Sequence, residues 1–171
     1  MNKNKLITPE GTKDYLFEEA IIRKSVQDRL RKLFDTNCFF EVVTPNVEFL
    51  DVFNANGYSM PSEFMYKLVD YKGRLIAIRP DSTMPIARLV ATRLKNEQLP
   101  LRLYYNQSVN SLNKSMSGRS DEIMQAGIEL IGAGTTKADL EVLNLAIMSL
   151  SSCTKNDFRI EIGHIGIFNS L

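Results

Sequence analysis

The stretch from Arg102 to Gly132, RLYYNQSVNSLNKSMSGRSDEIMQAGIELIG, holds two alternating segments joined by a loop of small and polar residues. Strand side chains alternate with period two, so this pattern predicts a long β-hairpin. In its second arm Met124, Ala126, Ile128 and Leu130 fall on one face, and Gln125, Gly127 and Glu129 on the other. The first face reads as core and the second as polar. A half-buried antiparallel strand with a solvated outer face gives the same alternation. The order of residues on the polar face adds something further. Gly127 is a poor strand former set between an amide and a carboxylate, and the expected result is a hollow with backbone open to a ligand and a donor and an acceptor at its rim.

The chain before the hairpin supplies its neighbours. Ile7 to Asp14 carries Pro and Gly close together and reads as an irregular entry. From Phe17 the apolar residues Ile22, Val26, Leu30, Leu33 and Phe34 recur at helical spacing, with Glu18 and Glu19 placed to suit the helix dipole. Phe39 to Pro45 is a short strand ended by proline, and Asn54 to Ser62 a loop. Phe64–Asp70 and Arg74–Arg79 form a second hairpin about Tyr71-Lys72-Gly73, which runs into a helix marked by Ile86, Leu89, Val90 and Leu94. Asp81 or Ser82 is the N-cap candidate there, and capping alone is enough to explain Asp81, Ser82 and Thr83.

After the long hairpin, Thr136 and Asp139 precede a helix with an expected buried stripe of Leu143, Ala146, Ile147 and Leu150. Phe158, Ile160 and Ile162 then alternate in a last strand. The hairpins are too closely connected to be parallel crossovers, so the fold class is α+β, an antiparallel β-sheet flanked by helices, in one domain spanning residues 1–171.

Several function classes are excluded by what the chain lacks. Lysine and arginine number 21 against 20 acidic residues, and a net charge of +1 offers no basic field to a nucleic acid. Cys38 and Cys153 show no metal-ligand spacing and read as buried reduced thiols of a cytosolic protein. No apolar run reaches the ~20 residues of a membrane span, and the polar N-terminus has no signal-peptide core. His164 is the sole histidine, in a Gly-flanked turn, and there is no nucleophile elbow, which argues against a Ser-His-Asp hydrolase. Neither GxxxxGK[ST] nor GxGxxG occurs, so the common phosphate cradles are missing. Ser115 to Ser120 could offer N–H groups and Arg119 to an anion, but reads first as a mobile hairpin tip. No cofactor, metal or catalytic residue is implied.

Gly11-Thr12-Lys13-Asp14, the first helix, Phe40 to Pro45 with Glu48, Met65 to Leu68, Arg79 to Thr83 and Gln125 to Gly132 stand in an order and spacing that resembles the catalytic core of the class II histidyl-tRNA synthetases. The resemblance covers essentially the whole chain and implies that fold. In those synthetases the segment like Arg79 to Thr83 usually reads Arg-Pro-Glu-Gly-Thr, and its acid and threonine hold the amino group of histidine. Asp81 and Thr83 match them, and Gln125 and Glu129 match two further histidine contacts on the polar face.

The nucleotide half departs from that pattern. Ser111 stands where the synthetases carry an arginine for the ATP α-phosphate and the substrate carboxylate, Asn113 where they carry a glutamate, and Ile123 where a phenylalanine stacks on adenine. A fixed guanidinium facing developing charge is worth several kcal/mol, so adenylate chemistry is expected to be lost. A core that keeps the amino-acid pocket and loses the ATP clamp resembles the regulatory-subunit branch of this family. Such proteins support the short-form catalytic subunit of ATP phosphoribosyltransferase in histidine biosynthesis, and both branches continue past the point matching Leu171. Asn106 to Val109, Ser117 to Gln125 and Gly127 to Gly132 fit that branch.

Three readings stay open: a noncatalytic regulatory subunit with that partner and possible histidine feedback, a histidyl-tRNA synthetase core fragment, and a ligand-free dimerisation platform. The resemblance also implies a dimer built on the first helix and the strand at Phe40 to Pro45. Phe39 beside Phe40 puts aromatic area on both faces of that strand, and one face needs a partner.

Overall fold

The computed structural model describes residues 6–54, 61–112 and 120–163. Residues 55–60 of the first expected loop, the hairpin tip with Asn113 and Arg119, and His164 lie outside the described residues. The chain divides into two compact units, Met1–Gly134 and Thr135–Leu171.

The first unit is built on the long hairpin. Strands β5 (Leu101–Asn110) and β6 (Glu122–Ile131) pair antiparallel over ten residues each, with Tyr105 opposite Gly127, Gln107 opposite Gln125 and Leu103 opposite Glu129. Strand β1 (Phe40–Glu41) joins β5 on its other side, and in parallel. Helix α1 (Phe17–Thr36) lies against this sheet, where Phe34 packs on Tyr104 at 5.3 Å between ring centroids.

The exit from α1 explains how Phe39 and Phe40 come to point apart. The Phe39 N–H bonds back to the Phe34 carbonyl at 3.0 Å, and Cys38 takes the left-handed φ of 60° usual for glycine at such a helix end. This turn drives Phe39 into the core and leaves Phe40 72% exposed. It also corrects the expectation for Cys38, whose thiol is free but exposed.

The second hairpin forms as expected, from β3 (Lys67–Val69) and β4 (Leu75–Ile78). A strand that the pattern did not announce, β2 (Val47–Phe49), pairs with the other edge of β4 and completes a small sheet of order β2-β4-β3. Its three residues are too few to show a period. Phe53, Met65 and Ala77 form the core under this sheet, with Leu50 and Met84 packed against them. Helix α2 (Thr83–Arg93) follows, and its Ile86 forms a second core with Leu103 and Tyr105.

In the second unit α3 runs from Thr136 to Cys153, with Thr135 as N-cap accepting from the Ala138 N–H at 3.3 Å. The buried residues of α3 are Ala138 and Leu145, not the expected stripe: Leu143 is half-buried, and Ala146, Ile147 and Leu150 are exposed. The alternation at Phe158, Ile160 and Ile162 likewise forms no strand, and 157–163 carries no regular structure. A strand exists only where a neighbour accepts its backbone bonds, and alternation cannot supply one. Among the described residues no helix is long and apolar enough to cross a membrane.

Candidate functional site

The site begins with a proline-bounded turn. Arg79-Pro80-Asp81-Ser82 carries the chain from β4 into α2. Arg79 is 3% exposed and has no salt bridge among the described residues. Its guanidinium instead donates to the carbonyls of Thr44, Pro45 and Ser108 and to the Thr44 hydroxyl. Burial pushes its pKa down, and nearby Glu48 opposes that shift. Glu48 itself is held by Arg88 of α2.

Asp81 and Ser82 divide the capping work in a way the pattern left undecided. Ser82 occupies the N-cap but its side chain makes no cap bond; the Asp81 carboxylate takes the Thr83 N–H at 2.8 Å. Capping accounts for one of the two Asp81 oxygens. The other carboxylate oxygen of Asp81 accepts from the Gln125 amide at 3.0 Å, while the amide oxygen of Gln125 accepts from the Ser82 N–H at 3.0 Å. Thr83 lies near enough to Glu129 and Tyr105 for its hydroxyl to hold both their pKa values down against burial. All four residues named from sequence, Asp81, Thr83, Gln125 and Glu129, are thus brought together at the start of α2 over one face of β6.

That face is not the solvated exterior of a half-buried sheet. It shares its side with Leu103, Tyr105 and Gln107 of β5, where Ile86 of α2 packs on Leu103 and Tyr105, and Gln125, Gly127 and Glu129 themselves are half-buried. Burial pushes the Glu129 carboxyl above its ordinary range, with the Thr83 hydroxyl opposing and the Asp81 charge adding to the effect. Neither carboxylate has a salt-bridge partner among the described residues. Both Asp81 oxygens already accept protein hydrogen bonds, and a cationic or N–H-rich group between the two carboxylates would add the counter-charge that neither has.

The hollow expected at Gly127 is filled. Tyr105, directly opposite, lays its ring across the glycine, so that a Cβ on Gly127 would stand 2.6 Å from the Tyr105 hydroxyl and 2.8 Å from its Cζ. Glycine is required here by the protein's own aromatic ring and not by an incoming ligand. Tyr105 is 7% exposed, and burial followed by the charges of Glu129 and Asp81 pushes its pKa up to about 12. It is a site residue that sequence reasoning missed. The signal was present as an aromatic residue in register with a strand glycine, legible only once the hairpin register is known.

Gly127→Ala is therefore expected to cost about 1–3 kcal/mol by overpacking. In a Tyr105→Phe background, where the nearest atom is gone, the same substitution should cost less. Thermal unfolding of the four proteins checks this, and equal costs in both backgrounds would contradict the contact.

At the far end of the hairpin the chemistry changes. The Ser111 N–H bonds to the Asp121 carbonyl at 2.9 Å, and Ile123 stands 48% exposed on β6. Tyr66 donates to the Asp121 carboxylate at 2.8 Å, and the Gly11 carbonyl accepts from both the Asp121 N–H and the Ser120 hydroxyl, so the entry segment is stitched to this end. Gly11, at φ 77°, admits no side chain because a Cβ would overlap the Asp121 carboxylate.

Fold and site together define a class. Residues 11–171 match the family model described as histidyl-tRNA synthetase, and the chain belongs to that family. Within it, the curated relatives include the ATP phosphoribosyltransferase regulatory subunit of Clostridium kluyveri, 45% identical over 163 residues, covering 95% of this chain and 42% of the relative. The protein of the same name from Acetivibrio thermocellus is 41% identical over 167 residues, covering 98% and 40%. Among solved structures, one described as an ATP phosphoribosyltransferase regulatory subunit/histidyl-tRNA synthetase from Bacillus halodurans superposes with a TM-score of 0.88 at 33% identity, over 99% of this chain and 43% of that one. Apo histidyl-tRNA synthetase of S. aureus gives 0.71 at 28% identity, over 86% and 34%. The chain spans about two fifths of the length of the curated relatives it matches.

Proposed function

We propose that this chain is the synthetase-like part of a noncatalytic, cytoplasmic regulatory subunit that binds and activates the short-form catalytic chain of ATP phosphoribosyltransferase in histidine biosynthesis. Its polar pocket takes histidine as a feedback signal, with Asp81 and Thr83 facing the α-ammonium and Gln125 and Glu129 the remaining N–H groups. The observation that carries the reading is the asymmetry of the hairpin. One end gathers two carboxylates, an amide and a hydroxyl at the start of α2, whereas the other carries Ser111 and the aliphatic Ile123 where adenylate chemistry needs a guanidinium and a ring. The names of the relatives point the same way.

Two assays on the full-length protein separate this reading from a synthetase. Co-expression with a short phosphoribosyltransferase chain is expected to yield a hetero-oligomer whose activity requires both chains. Pyrophosphate exchange dependent on histidine and ATP is expected to stay at background, and a robust rate would overturn the assignment.

Self-association belongs to the same proposal. Phe17, Ile21 and Ile22 of α1 and Phe40 and Val43 at β1 are all exposed, Val43 by 77%. An apolar set of this kind fits an isologous C2 contact. Light scattering should give a dimer mass for the subunit alone, and a monomer mass at every concentration would refute it.

A further inference from the structure

Gln107 is a buried amide outside the four pocket residues, and its contacts form a pattern. It stands directly opposite Gln125 in the hairpin, so the two side chains rise side by side on one face. Both reach the same residue, Ser82. Gln125 accepts from its backbone N–H at 3.0 Å, and Gln107 donates to its hydroxyl at 3.1 Å. Ser82 is 0% exposed and lies between Asp81 and Thr83, so two cross-strand glutamines grip the first turn of α2 where its ligand-facing residues sit.

The remaining capacity of the Gln107 amide is spent on Thr44. Its oxygen accepts from the Thr44 N–H at 3.2 Å, and its nitrogen also donates to the Thr44 hydroxyl at 3.1 Å. Thr44 is in turn fixed by Arg79. The amide therefore cannot rotate without breaking bonds to two segments of the chain, and Ser82 is held by a group that is itself immobilised. Because the Ser82 side chain makes no helix-cap bond, its hydroxyl is free for this contact alone.

We infer that Gln107 is a positioning residue for the pocket: with Gln125 it clamps Ser82, and through Ser82 it sets Asp81 and Thr83 over β6. The inference rests on the histidine reading for its ligand but not for its geometry. Hence two readouts are used, both on the full-length protein.

The first is amide hydrogen exchange in Ser82→Ala, Gln107→Leu and the double variant. Ser82→Ala removes only the Gln107 contact and costs no cap. The amides of residues 82 and 83 are expected to exchange about five- to ten-fold faster than wild type after correction for intrinsic rates, with Leu103 unchanged. The double variant should be no faster than the faster single one, because both remove the same bond. The second readout is histidine titration by calorimetry, where each variant should bind about five-fold more weakly.

Unchanged exchange at residues 82 and 83, or an equal acceleration throughout the protein, would overturn the clamp and leave Gln107 a general packing residue. Additive effects in the double variant would do the same. If wild type fails to bind histidine while the local exchange pattern appears, the ligand reading falls and the clamp stands.

Discussion

Replacing Arg79 by methionine should cost about 3 kcal/mol of folding stability, the largest loss expected from one side chain in this unit. The guanidinium fills a buried position from which it satisfies three carbonyls on two segments that are distant in sequence, Thr44–Pro45 and Ser108. Methionine fits the volume and relieves the burden of burying a charge, which is real, since burial lowers the Arg79 pKa. Relief of one buried charge is outweighed by several carbonyl oxygens left without donors, at about 1–3 kcal/mol each. Arg79→Lys should recover only part of the loss, because one ammonium cannot span the two sides that a planar fork reaches. Urea unfolding of the three proteins tests the ordering. A methionine variant within about 0.5 kcal/mol of wild type would mean that water replaces the guanidinium without penalty.

Glu129→Gln should move stability and binding in opposite directions. The Glu129 carboxyl is held above its ordinary range, chiefly by burial, with Asp81 adding to the shift and the Thr83 hydroxyl opposing it. A carboxyl with a raised folded-state pKa binds more protons folded than unfolded, so stability falls as pH rises from its unfolded value through its folded one. Once ionised, Glu129 of the unliganded protein is a charge that the fold would be more stable without. The glutamine variant should melt higher than wild type at pH 7, and the gap should close as pH drops below the ordinary carboxyl pKa of 4.5.

Histidine binding should respond in the reverse sense. The carboxylate that destabilises the empty site gives a charge-assisted bond to a cationic ligand, worth roughly 1.5–3 kcal/mol, or about 10- to 150-fold in affinity. Binding should also release a proton near the raised Glu129 pKa and strengthen with pH through that range. Calorimetry in buffers of different ionisation enthalpy reads both. A wild type that binds histidine with no difference from the variant would place the ligand elsewhere.

The long hairpin, the first helix and the second hairpin were all legible in the sequence, because each has a period that a few residues suffice to show. So were the four residues under α2, through family resemblance together with the polar face of β6. What escaped depends on partners remote in the chain. Tyr105 and Gln107 belong to the site because register sets them opposite Gly127 and Gln125, and register is a property of two strands. Strand β2 exists because β4 has a free edge. Cys38 points outward because the chain turns through a left-handed residue after α1, a turn that glycine would have announced and cysteine does not. The apolar alternation at Phe158 to Ile162 finds no accepting edge among the described residues, and alternation by itself orders nothing.

The parallel pairing of β1 with β5 has a consequence for the order of assembly. Phe40 meets Leu103 across a loop that contains the whole β2-β4-β3 sheet and α2, so closing it requires either a long search or a loop already shortened by its own folding. Both hairpins are local and can form in microseconds, whereas this contact is remote in sequence and only two residues long. A two-residue ladder offers little to hold such a closure. The guanidinium of Arg79, bonded to Thr44 and Pro45 just after β1 and to Ser108 within β5, bridges the same gap from inside the loop. The arginine that ends the inner sheet is thus the pin that keeps the outer one joined, and the inner sheet has to be in place before the outer can last.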